Sequence, residues 1–526
     1  MHSCKNNFMN KPVSNVVVVG GGTAGWLTAC ILASQLNGKN GQAINITLIE
    51  SPDLPIIGVG EGTVPTMRQT LKMINLSETE FVRRCDATFK QSINFVDWLY
   101  APENGKHHSY QHLFNYPSSP GFDLTPYWLL GDLQPELKFQ DLVSLQGKIN
   151  HLGLAPKKIT HKEFEGINEY AYHLDARKFA DLLTEHGTQK LGIHHILANV
   201  TAVNQHANGD IQSVSTDTQG EISGELFIDC SGFSSLLLGR TLGVEFCNKN
   251  DVLFVDHAVT MQVPYDNEQS DIPSYTISTA HANGWSWDIG LTSRRGVGYV
   301  YSSKYQDHDT AEQVLRDYIG PASEGLESRR IPMNVGYREK FWHKNCLAIG
   351  LSAGFLEPLE ATAIMLVEAT AKLLVEQFPS TRASMDLAAN QVNKITQYGW
   401  DRVIDFIKLH YYLSRRTDSQ FWIDNRDNKT VPQSLLEKLT LWRQQLPTDS
   451  DFFSKYEVFR LENYQYVLYG MDFKTELNSV KKRYFKQDQV NKFYQRMSKL
   501  EPNLVASLPK HRDLIEQINT HGMKAI

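Results

Sequence analysis

Hydrophobic and polar positions in the first fifty residues follow the pattern of a βαβ unit. Four consecutive valines, Val16 to Val19, predict a short buried strand, and the stretch from Ala24 to Leu36 predicts a helix. A second apolar stretch, Ile44 to Ile49, predicts another strand, and this one ends on Glu50. The chain therefore opens with a predicted strand, turn, helix and strand, the order found in units with parallel strands.

Further apolar segments predict helices and strands over most of the remaining chain. Helices are predicted at 66–76, 77–88, 172–191 and in a long segment that ends at Phe378. Short strands are predicted at 200–210, 211–216, 224–229 and 346–350, and antiparallel strands at 258–263, 274–279, 284–291 and 294–301. Residues 100–170 are aromatic and irregular, and residues from about 380 to 526 favour helix.

Three glycines, Gly20, Gly22 and Gly25, stand in G-x-G-x-x-G spacing between the first strand and the first helix. The first permits a tight turn, the second lets the backbone approach a pyrophosphate, and the third lets helix and strand pack closely. The phosphates would meet the free amides at the positive end of the helix dipole. Glu50 ends the second strand, where an acid is the expected acceptor for a ribose 2′-hydroxyl. The opening segment therefore predicts a dinucleotide site.

Composition excludes several other classes of function. The chain has 526 residues, which is enough for two or more domains, and its net charge of −6 argues against nucleic acid or an anionic membrane as its main partner. No uncharged apolar run approaches the ~20 residues that cross a bilayer, and residues 1–14 lack the apolar core of a secretory signal. The six cysteines are scattered and form no C-x-x-C pair, so a reducing, cytoplasmic location is expected.

Two later segments point to a flavin rather than a nicotinamide cofactor. Residues 227–233 read as a strand that ends in a turn of small residues, and residues 346–355 form a second junction of strand and helix. This outline resembles the glutathione-reductase-like flavoproteins, in which two junctions meet on one cofactor around an antiparallel substrate domain. An aromatic-hydroxylase-type flavoprotein has the same outline.

The predicted fold class is therefore mixed α/β, with a glutathione-reductase-like FAD-binding fold, an inserted antiparallel sheet and a helical C-terminal region. Residues 1–380 are expected to form the FAD-binding core. Inserted substrate regions are expected at about 100–170 and 255–335, and residues 381–526 form the mostly helical C-terminal region.

Six motifs between residues 15 and 425 together resemble one family, the flavin-dependent halogenases typified by the tryptophan halogenases. In chain order they are G-G-G-T-A-G-W at 20–26, G-V-G-E-G-T-V-P at 58–65, F-K-Q-S-I-N-F-V-D-W at 89–98, W-S-W-D-I at 285–289, G-F-L-E-P-L-E-A-T at 354–362 and H-Y-Y-L-S-R-R-T-D-S-Q-F-W at 410–422. The W-x-W-x-I motif and the lysine within F-K-x-x-I-x-F-x-x-W are the most specific of these.

The resemblance implies a two-component oxidoreductase. Reduced FAD arrives from a separate flavin reductase and reacts with O2, and chloride or bromide is oxidised to hypohalous acid. The acid then passes through a tunnel to a lysine beside a small aromatic substrate such as tryptophan or an indole. Lys90 matches that lysine, and Glu360 matches the family's second catalytic residue.

Both catalytic assignments have an alternative. Apolar residues surround Lys90, but a lysine in such a pattern can also be a snorkelling side chain on an amphipathic helix. A protonated Lys90 would polarise hypohalous acid and a neutral one would form a haloamine, and the sequence does not separate the two. Glu360 can stabilise a cationic ring and accept its proton, yet it also suits a helix N-terminus, and Glu357 competes for the catalytic role.

The resemblance also assigns the remaining site residues. Thr362 and Ala363 match the halide site, at the N-terminus of a helix, and His112 and Phe114 match the wall of the substrate site. The flavin site is expected to include Gly20, Gly22, Thr23, Ala24, Gly25, Glu50, Val59, Gly60, Val200, Asp229, Leu351 and Ile364. No metal site is expected, because the i, i+4 pair of His108 and His112 lacks a third ligand.

Three departures from the family pattern bear on activity. Ala361 replaces a serine, Gly290 replaces the proline after W-x-W-x-I, and the aromatic-rich insertion that holds the amino acid group of tryptophan has no counterpart near 456–470. An indole or another small electron-rich aromatic is therefore expected rather than free tryptophan. A flavin-dependent monooxygenase and a flavin-binding protein without catalysis are the alternatives. The sequence leaves the oligomeric state open, a homodimer included.

Overall fold

The computed structural model of the protein describes residues 12–37, 44–54, 60–131 and 136–525. Contacts divide the chain into two compact units, each built from three segments. Unit 1 comprises Met1–Ala87, Leu174–Lys249 and Met333–Trp400, and unit 2 comprises Thr88–His173, Asn250–Pro332 and Asp401–Ile526. The domain boundary predicted near residue 380 stays a prediction.

The described residues contain short strands, numbered here in chain order. They are β1 (Asn15–Val19), β2 (Asn45–Glu50), β3 (Gly60–Gly62), β4 (Thr88–Lys90), β5 (Ser92–Val96), β6 (Ser109–Leu113), β7 (Ala171–Asp175), β8 (His194–Leu197), β9 (Val200–Gln205), β10 (Ile211–Thr216), β11 (Gly220–Ser223), β12 (Leu226–Asp229), β13 (Phe246–Asn248), β14 (His257–Pro264), β15 (Thr276–His281), β16 (Gly284–Gly290), β17 (Arg294–Tyr301), β18 (Arg329–Pro332), β19 (Gly336–Arg338), β20 (Trp342–His343), β21 (Cys346–Ala348) and β22 (Gly354–Phe355).

The α-helices are numbered in the same way. They are α1 (Thr23–Leu36), α2 (Thr66–Met73), α3 (Glu78–Arg84), α4 (Thr125–Leu129), α5 (Phe139–Val143), α6 (Gln146–His151), α7 (Ala176–Gln189), α8 (His308–Ile319), α9 (Thr362–Glu376), α10 (Arg382–Leu413), α11 (Gln420–Asp424), α12 (Gln433–Trp442), α13 (Leu461–Gly470), α14 (Gln487–Ser507) and α15 (His511–His521).

Unit 1 is organised around a sheet of six strands in the order β20-β21-β12-β1-β2-β8. The four valines of β1 lie between β2 and β12 in parallel register, and their burial on both faces explains their uninterrupted apolar run. Helix α1 packs against α7 and α9. The βαβ unit predicted from the first fifty residues is confirmed, and so is the mixed α/β fold class.

Unit 2 contains the antiparallel sheet, seven strands in the order β18-β14-β17-β16-β15-β5-β6. Its neighbours pair antiparallel except for β15 and β5, which are parallel. Helix α8 covers part of the sheet through Ala311, Leu315 and Ile319, which form one apolar cluster with side chains of β14 and β17. The strands predicted from 258 to 301 are confirmed.

Two predicted helix bounds are wrong. Residues 172–175 belong to β7 rather than to a helix, because residues 171–173 pair with β4 and the Asp175 carboxylate caps α7 by accepting from the amides of Arg177 and Lys178. The helix predicted over 77–88 ends at Arg84, and Thr88 begins the next strand. Within the described ranges, no helix is long and apolar enough to span a membrane.

Candidate active site

The glycine turn of unit 1 leaves room for a phosphate at the start of α1. A Cβ on Gly22 would meet no atom within 4 Å. Gly22 is the N-cap of α1 and, being a glycine, provides no side chain to occupy the space beside the first turn. A Cβ on Gly20 would collide with the Cys230 carbonyl, and one on Gly25 with the Gly20 carbonyl. The first turn of α1 contains no acidic residue that would repel an anion. The residues present therefore fit a dinucleotide pyrophosphate.

Glu50 lies at the end of β2, beside this turn. Its Oε2 accepts hydrogen bonds from Trp26 Nε1 at 3.3 Å and from His195 Nε2 at 2.9 Å. Its carboxyl group also packs where a Cβ on Gly21 would stand. The carboxylate is thus held through one oxygen, and the predicted ribose acceptor is fixed by Trp26 and His195, two residues that sequence reasoning missed.

The carboxyl ends of β1, β12 and β21 bring the two predicted junctions together. The amide of Ile349 donates to the Asp229 carbonyl at 2.9 Å, and a Cβ on Gly350 would stand 2.7 Å from that of Ala24. Leu351 follows in a short 3-10 segment, Gly350–Ser352. The meeting of two strand-to-helix junctions, inferred from two distant sequence segments, is present in unit 1.

The side chain of Asp229 is hydrogen-bonded to neighbouring residues of the protein. Its carboxylate accepts from the amide and hydroxyl of Ser231 and from the amides of Leu237 and Leu238, at 2.6 to 3.0 Å. Val200 is half-buried at the start of β9, two residues after Ala198, whose amide donates to the Glu50 carbonyl at 2.9 Å. The predicted contacts of Asp229 and Val200 with the flavin stay predictions.

The G-V-G-E-G-T-V-P motif at 58–65, which the resemblance assigns in part to the flavin site, is described only from residue 60 onward. Gly60 is buried and begins β3, whereas Val59 lies outside the described residues. The neighbouring Glu61 was not assigned a role from the sequence. Burial, and then the nearby carboxylate of Asp175, raise the pKa of Glu61 to about 7.

The start of α9 holds the predicted halide and carboxylate residues. Thr362 and Ile364 are buried, and Ala363 is exposed in the first turn. Ala361 precedes the helix in the left-handed region, with φ 55° and ψ 40°, and makes no side-chain cap. Glu360 ends the 3-10 turn before it, and since Glu360 and Glu357 are both buried, burial does not choose between them.

In unit 2, Lys90 ends β4 and is fully buried. Its Nζ lies 5.3 Å from the ring centroid of Phe114, a cation–π distance. The pairing of β5 with β6 brings these two segments together, and the Phe114 amide donates to the Gln91 carbonyl at 3.1 Å. Lys90 therefore lies on a strand rather than on an amphipathic helix, and its side chain does not reach solvent.

His112 lies on β6, opposite Ile93 of β5, and is almost fully buried. Its Nε2 lies 3.0 Å from Oδ1 of Asn463, and its ring packs against those of Phe406 and Tyr466. Asn463, Phe406 and Tyr466 were not predicted as site residues, because they lie about 300 to 350 positions further along the chain. Among the described residues no group of His, Cys, Asp or Glu is arranged to hold a metal.

Three motifs that were far apart in sequence form one aromatic cluster in unit 2. Trp98 packs against Trp285, His410, Tyr411 and Trp422, at ring-centroid distances of 5.2 to 6.2 Å. Its indole nitrogen donates to the Ser278 carbonyl at 3.1 Å. Trp98, Trp285 and Trp422, one tryptophan from each motif, are therefore packed together in one hydrophobic core.

The glycine that replaces the family's proline has a structural explanation. A Cβ on Gly290 would stand 2.7 Å from Cγ2 of Ile272 and 2.9 Å from the Tyr265 hydroxyl. The Gly290 carbonyl also accepts from the Thr88 hydroxyl at 2.6 Å. Ile272 and Tyr265 thus occupy the space that a larger residue at position 290 would need.

Comparisons with known proteins agree with this arrangement. The family model described as tryptophan halogenase matches residues 15–483. The chain is 35% identical to tryptophan 6-halogenase SttH of Streptomyces toxytricini over 474 residues, which covers 86% of this chain and 88% of that protein.

Two solved structures match nearly the whole chain. A tryptophan halogenase from Shewanella frigidimarina superposes with a TM-score of 0.94 at 44% identity, covering 99% of this chain and 100% of that one. Tar14, a tryptophan C-6 flavin-dependent halogenase from taromycin biosynthesis, has a TM-score of 0.89 at 32% identity and covers 96% and 99%. The resemblance inferred from the motifs is confirmed: the chain is an enzyme of the tryptophan halogenase family, whose members are flavin-dependent halogenases.

Proposed function

We propose that this enzyme uses FADH2, O2 and chloride or bromide to make hypohalous acid, which Lys90 delivers to an indole-bearing substrate. The observation that carries the proposal is Lys90 itself, fully buried with its Nζ 5.3 Å from the Phe114 ring. A buried lysine side chain beside an aromatic wall can hold a small polar oxidant close to a planar ring, away from water.

Unit 1 supplies the cofactor end of the proposal. Reduced FAD, when bound, supplies the two electrons that, with two from the halide, reduce O2 to water and hypohalous acid. The turn at Gly20, Gly22 and Gly25, with Thr23 and Ala24 in the first turn of α1, would hold the pyrophosphate, and Glu50 the ribose. A separate reductase would supply the reduced flavin. The described cysteines are free thiols, which suits the reducing cytoplasm.

The start of α9 would bind the halide and help the aromatic step. The amides of Thr362 and Ala363 lie in the first turn, which contains no acidic residue, so the helix dipole favours an anion there. Glu360 would stabilise the cationic ring of the substrate and accept its proton.

We also propose that the site recognises the indole ring rather than the amino acid group. The contacts described for His112 include the rings of Phe406 and Tyr466 and the side-chain amide of Asn463, which bonds to the His112 ring. A ring pocket of this kind binds an aromatic face without requiring a charged partner.

The test supplies chemically reduced FAD, O2 and bromide or chloride to the purified enzyme, with indole and free tryptophan as parallel substrates. Mass spectrometry should detect halogenated indole, formed faster than halogenated tryptophan. Lys90→Met, which keeps the side-chain length, should lower halogenation by at least about 100-fold, since a positioned group of this kind contributes that much. The exposed Lys106→Met serves as the control.

Products that gain oxygen instead of halogen would overturn the proposal and favour a monooxygenase. If Lys90→Met halogenates at the same rate as Lys106→Met, the enzyme is a halogenase but Lys90 has no part in the reaction. Activity with chemically reduced FAD would show that the reductase is needed only as a source of reduced flavin.

A further inference from the structure

The strand that carries Lys90 is held on one edge by a histidine ring from α15. The Phe89 amide donates to Nε2 of His511 at 3.0 Å, and Nδ1 of the same ring lies 2.9 Å from the Ile272 carbonyl oxygen. The ring is 1% exposed. One imidazole therefore joins Phe89, the residue immediately before Lys90, to the backbone at Ile272.

These two contacts fix the protonation of His511. A backbone amide can only donate and a carbonyl can only accept, so Nε2 of His511 must be the unprotonated nitrogen and Nδ1 must carry the proton. Burial is the main cause that lowers the pKa of His511 to about 4. The hydrogen bond to the Ile272 carbonyl opposes this shift, and the nearby charge of Arg512 adds to it. The ring is therefore neutral, in one tautomer, at the pH of a cell.

The ring acts as a spacer between the segments 89–91 and 272–274. Two residues beyond Phe89, the Gln91 amide donates directly to the Ser274 carbonyl at 2.7 Å. At Phe89 no direct bond to this segment is formed, and the imidazole spans the distance instead. The direction of the backbone that enters Lys90 thus depends on the width of this ring.

The position of the ring is itself set by backbone pairing. The His511 amide donates to the Gly153 carbonyl at 2.9 Å, and the Ala155 amide donates to the Pro509 carbonyl at 3.0 Å. The side chain of Gln91 donates to the Leu154 carbonyl at 2.9 Å, which ties the same segment to the residue after Lys90. These bonds fix the backbone position from which the His511 ring extends.

We propose that His511 is a positioning residue for Lys90: as a neutral two-ended bridge it fixes the backbone that aims the Lys90 side chain at Phe114. This inference rests on the proposed delivery of the oxidant by Lys90. Without the bridge, the Phe89 amide and the Ile272 carbonyl lose their partner inside the protein, and β4 relaxes. Substrate halogenation then falls, whereas formation of hypohalous acid continues.

The experiment compares His511→Phe, His511→Gln and a control, His521→Phe, which changes an exposed histidine on the same helix. Phenylalanine keeps a ring but removes both hydrogen bonds, and glutamine can still accept from the Phe89 amide. Two quantities are measured: halogenated indole per flavin consumed, with released hypohalous acid trapped by a dye, and hydrogen exchange of the amides of residues 88–91.

We expect His511→Phe to bind FAD and indole like the wild type. It should exchange the 88–91 amides faster and make at least about 10-fold less halogenated indole per flavin, with a matching rise in trapped acid, since small displacements of a reacting group are costly. His511→Gln should recover part of both quantities, and His521→Phe should match the wild type.

Unchanged product yield and unchanged amide exchange in His511→Phe would overturn the inference. A loss of yield that is equal in His511→Phe and His521→Phe would also overturn it, because it would reflect only the stability of α15. If His511→Phe does not fold, His511→Gln decides in the same two measurements. If the wild type forms no halogenated product at all, the proposed function fails, and the exchange of the 88–91 amides still tests the bridge.

Discussion

At the residue scale, the carboxyl group of Glu61 makes the stability of the folded state depend on pH. Burial and the charge of Asp175 raise the pKa of Glu61 to about 7 in the folded protein, from 4.5. The folded state therefore holds a proton that the unfolded state has released, and the favourable contribution to folding is present below about pH 4.5 and is lost as the pH rises through about 7.

Replacing Glu61 by glutamine should remove this dependence. Between pH 5 and pH 8 the free energy of unfolding of the wild type should fall by about 2 kcal/mol more than that of Glu61→Gln. This is less than the full pKa shift implies, because the Glu61 side chain is only half-buried. Urea unfolding at several pH values measures this, with the exposed Glu516→Gln as the control. Parallel curves for the wild type and Glu61→Gln would contradict the raised pKa.

At position 361 this chain has alanine where the family pattern has serine, and the difference concerns the side chain rather than the backbone. Its φ of 55° places an L-residue in the left-handed region, which costs roughly 1–2 kcal/mol relative to a helical conformation. A serine there would bear the same cost, because both residues carry a Cβ. What this chain lacks is only the hydroxyl, between the buried Glu360 and Thr362.

Several site residues could be predicted from the sequence because their motifs are local. The glycines of the first turn and the burial of Lys90 follow from neighbours within a few positions. His195, Asn463 and His511 could not be predicted, because each acts on a partner 145, 351 or 422 positions away. Only pairing of strands and helices in three dimensions reveals such contacts.

At the element scale, β16 and β17 owe part of their packing to a glycine opposite a tryptophan. Trp287 pairs with Gly298 across the two strands, and a Cβ on Gly298 would collide with the indole ring. An aromatic ring that lies over a glycine on the neighbouring strand is a known device of β-sheets. The W-x-W motif thus has a structural role in unit 2.

The substitution Gly298→Ala should lower the free energy of unfolding by about 1–3 kcal/mol, because the added methyl overpacks against Trp287. In the background Trp287→Leu, which removes the indole ring, the same change should cost much less. A double-mutant cycle by chemical denaturation measures the difference. Equal costs in the two backgrounds would mean that the collision is relieved elsewhere.

The predicted elements agree best with the structure where apolar residues dominate the segment, as in β1, α1 and α9. The strand β7 was predicted as helix because residues 171–175 run into α7 without a glycine or proline between them. Its partner β4 has only three residues, too few to show a pattern of alternation. The strand character of β7 comes from pairing, and Asp175 marks the change to helix.

At the scale of the whole molecule, binding of FAD should appear as a gain in stability of the folded protein. A ligand that binds only the folded state raises the midpoint of thermal unfolding with concentration. Gly22→Ala separates this binding from folding, because its Cβ would meet no protein atom and its φ of −75° suits any residue. The methyl group would instead occupy the space expected for the pyrophosphate.

We therefore expect Gly22→Ala to unfold at the wild-type temperature without FAD, but to bind FAD at least about 10-fold more weakly, a loss of about 1.4 kcal/mol. Gly25→Ala, whose Cβ would collide with the Gly20 carbonyl, should be destabilised without any ligand. Thermal unfolding over a series of FAD concentrations gives both results. An equal gain from FAD in Gly22→Ala and wild type would place the phosphate elsewhere.

The bridge at His511 also has a consequence for the order of folding. The hydrogen bond between Phe89 and His511 closes a loop of 422 positions, whereas the βαβ unit at the start of unit 1 forms within about fifty residues. Contacts between distant positions form slowly, because a long loop must close before they contribute. On a growing polypeptide, the hydrogen bond between Phe89 and His511 therefore forms only after α15 has been synthesised. Under the proposed role of Lys90, this residue takes the geometry that delivers the oxidant only after the bridge to α15 has formed.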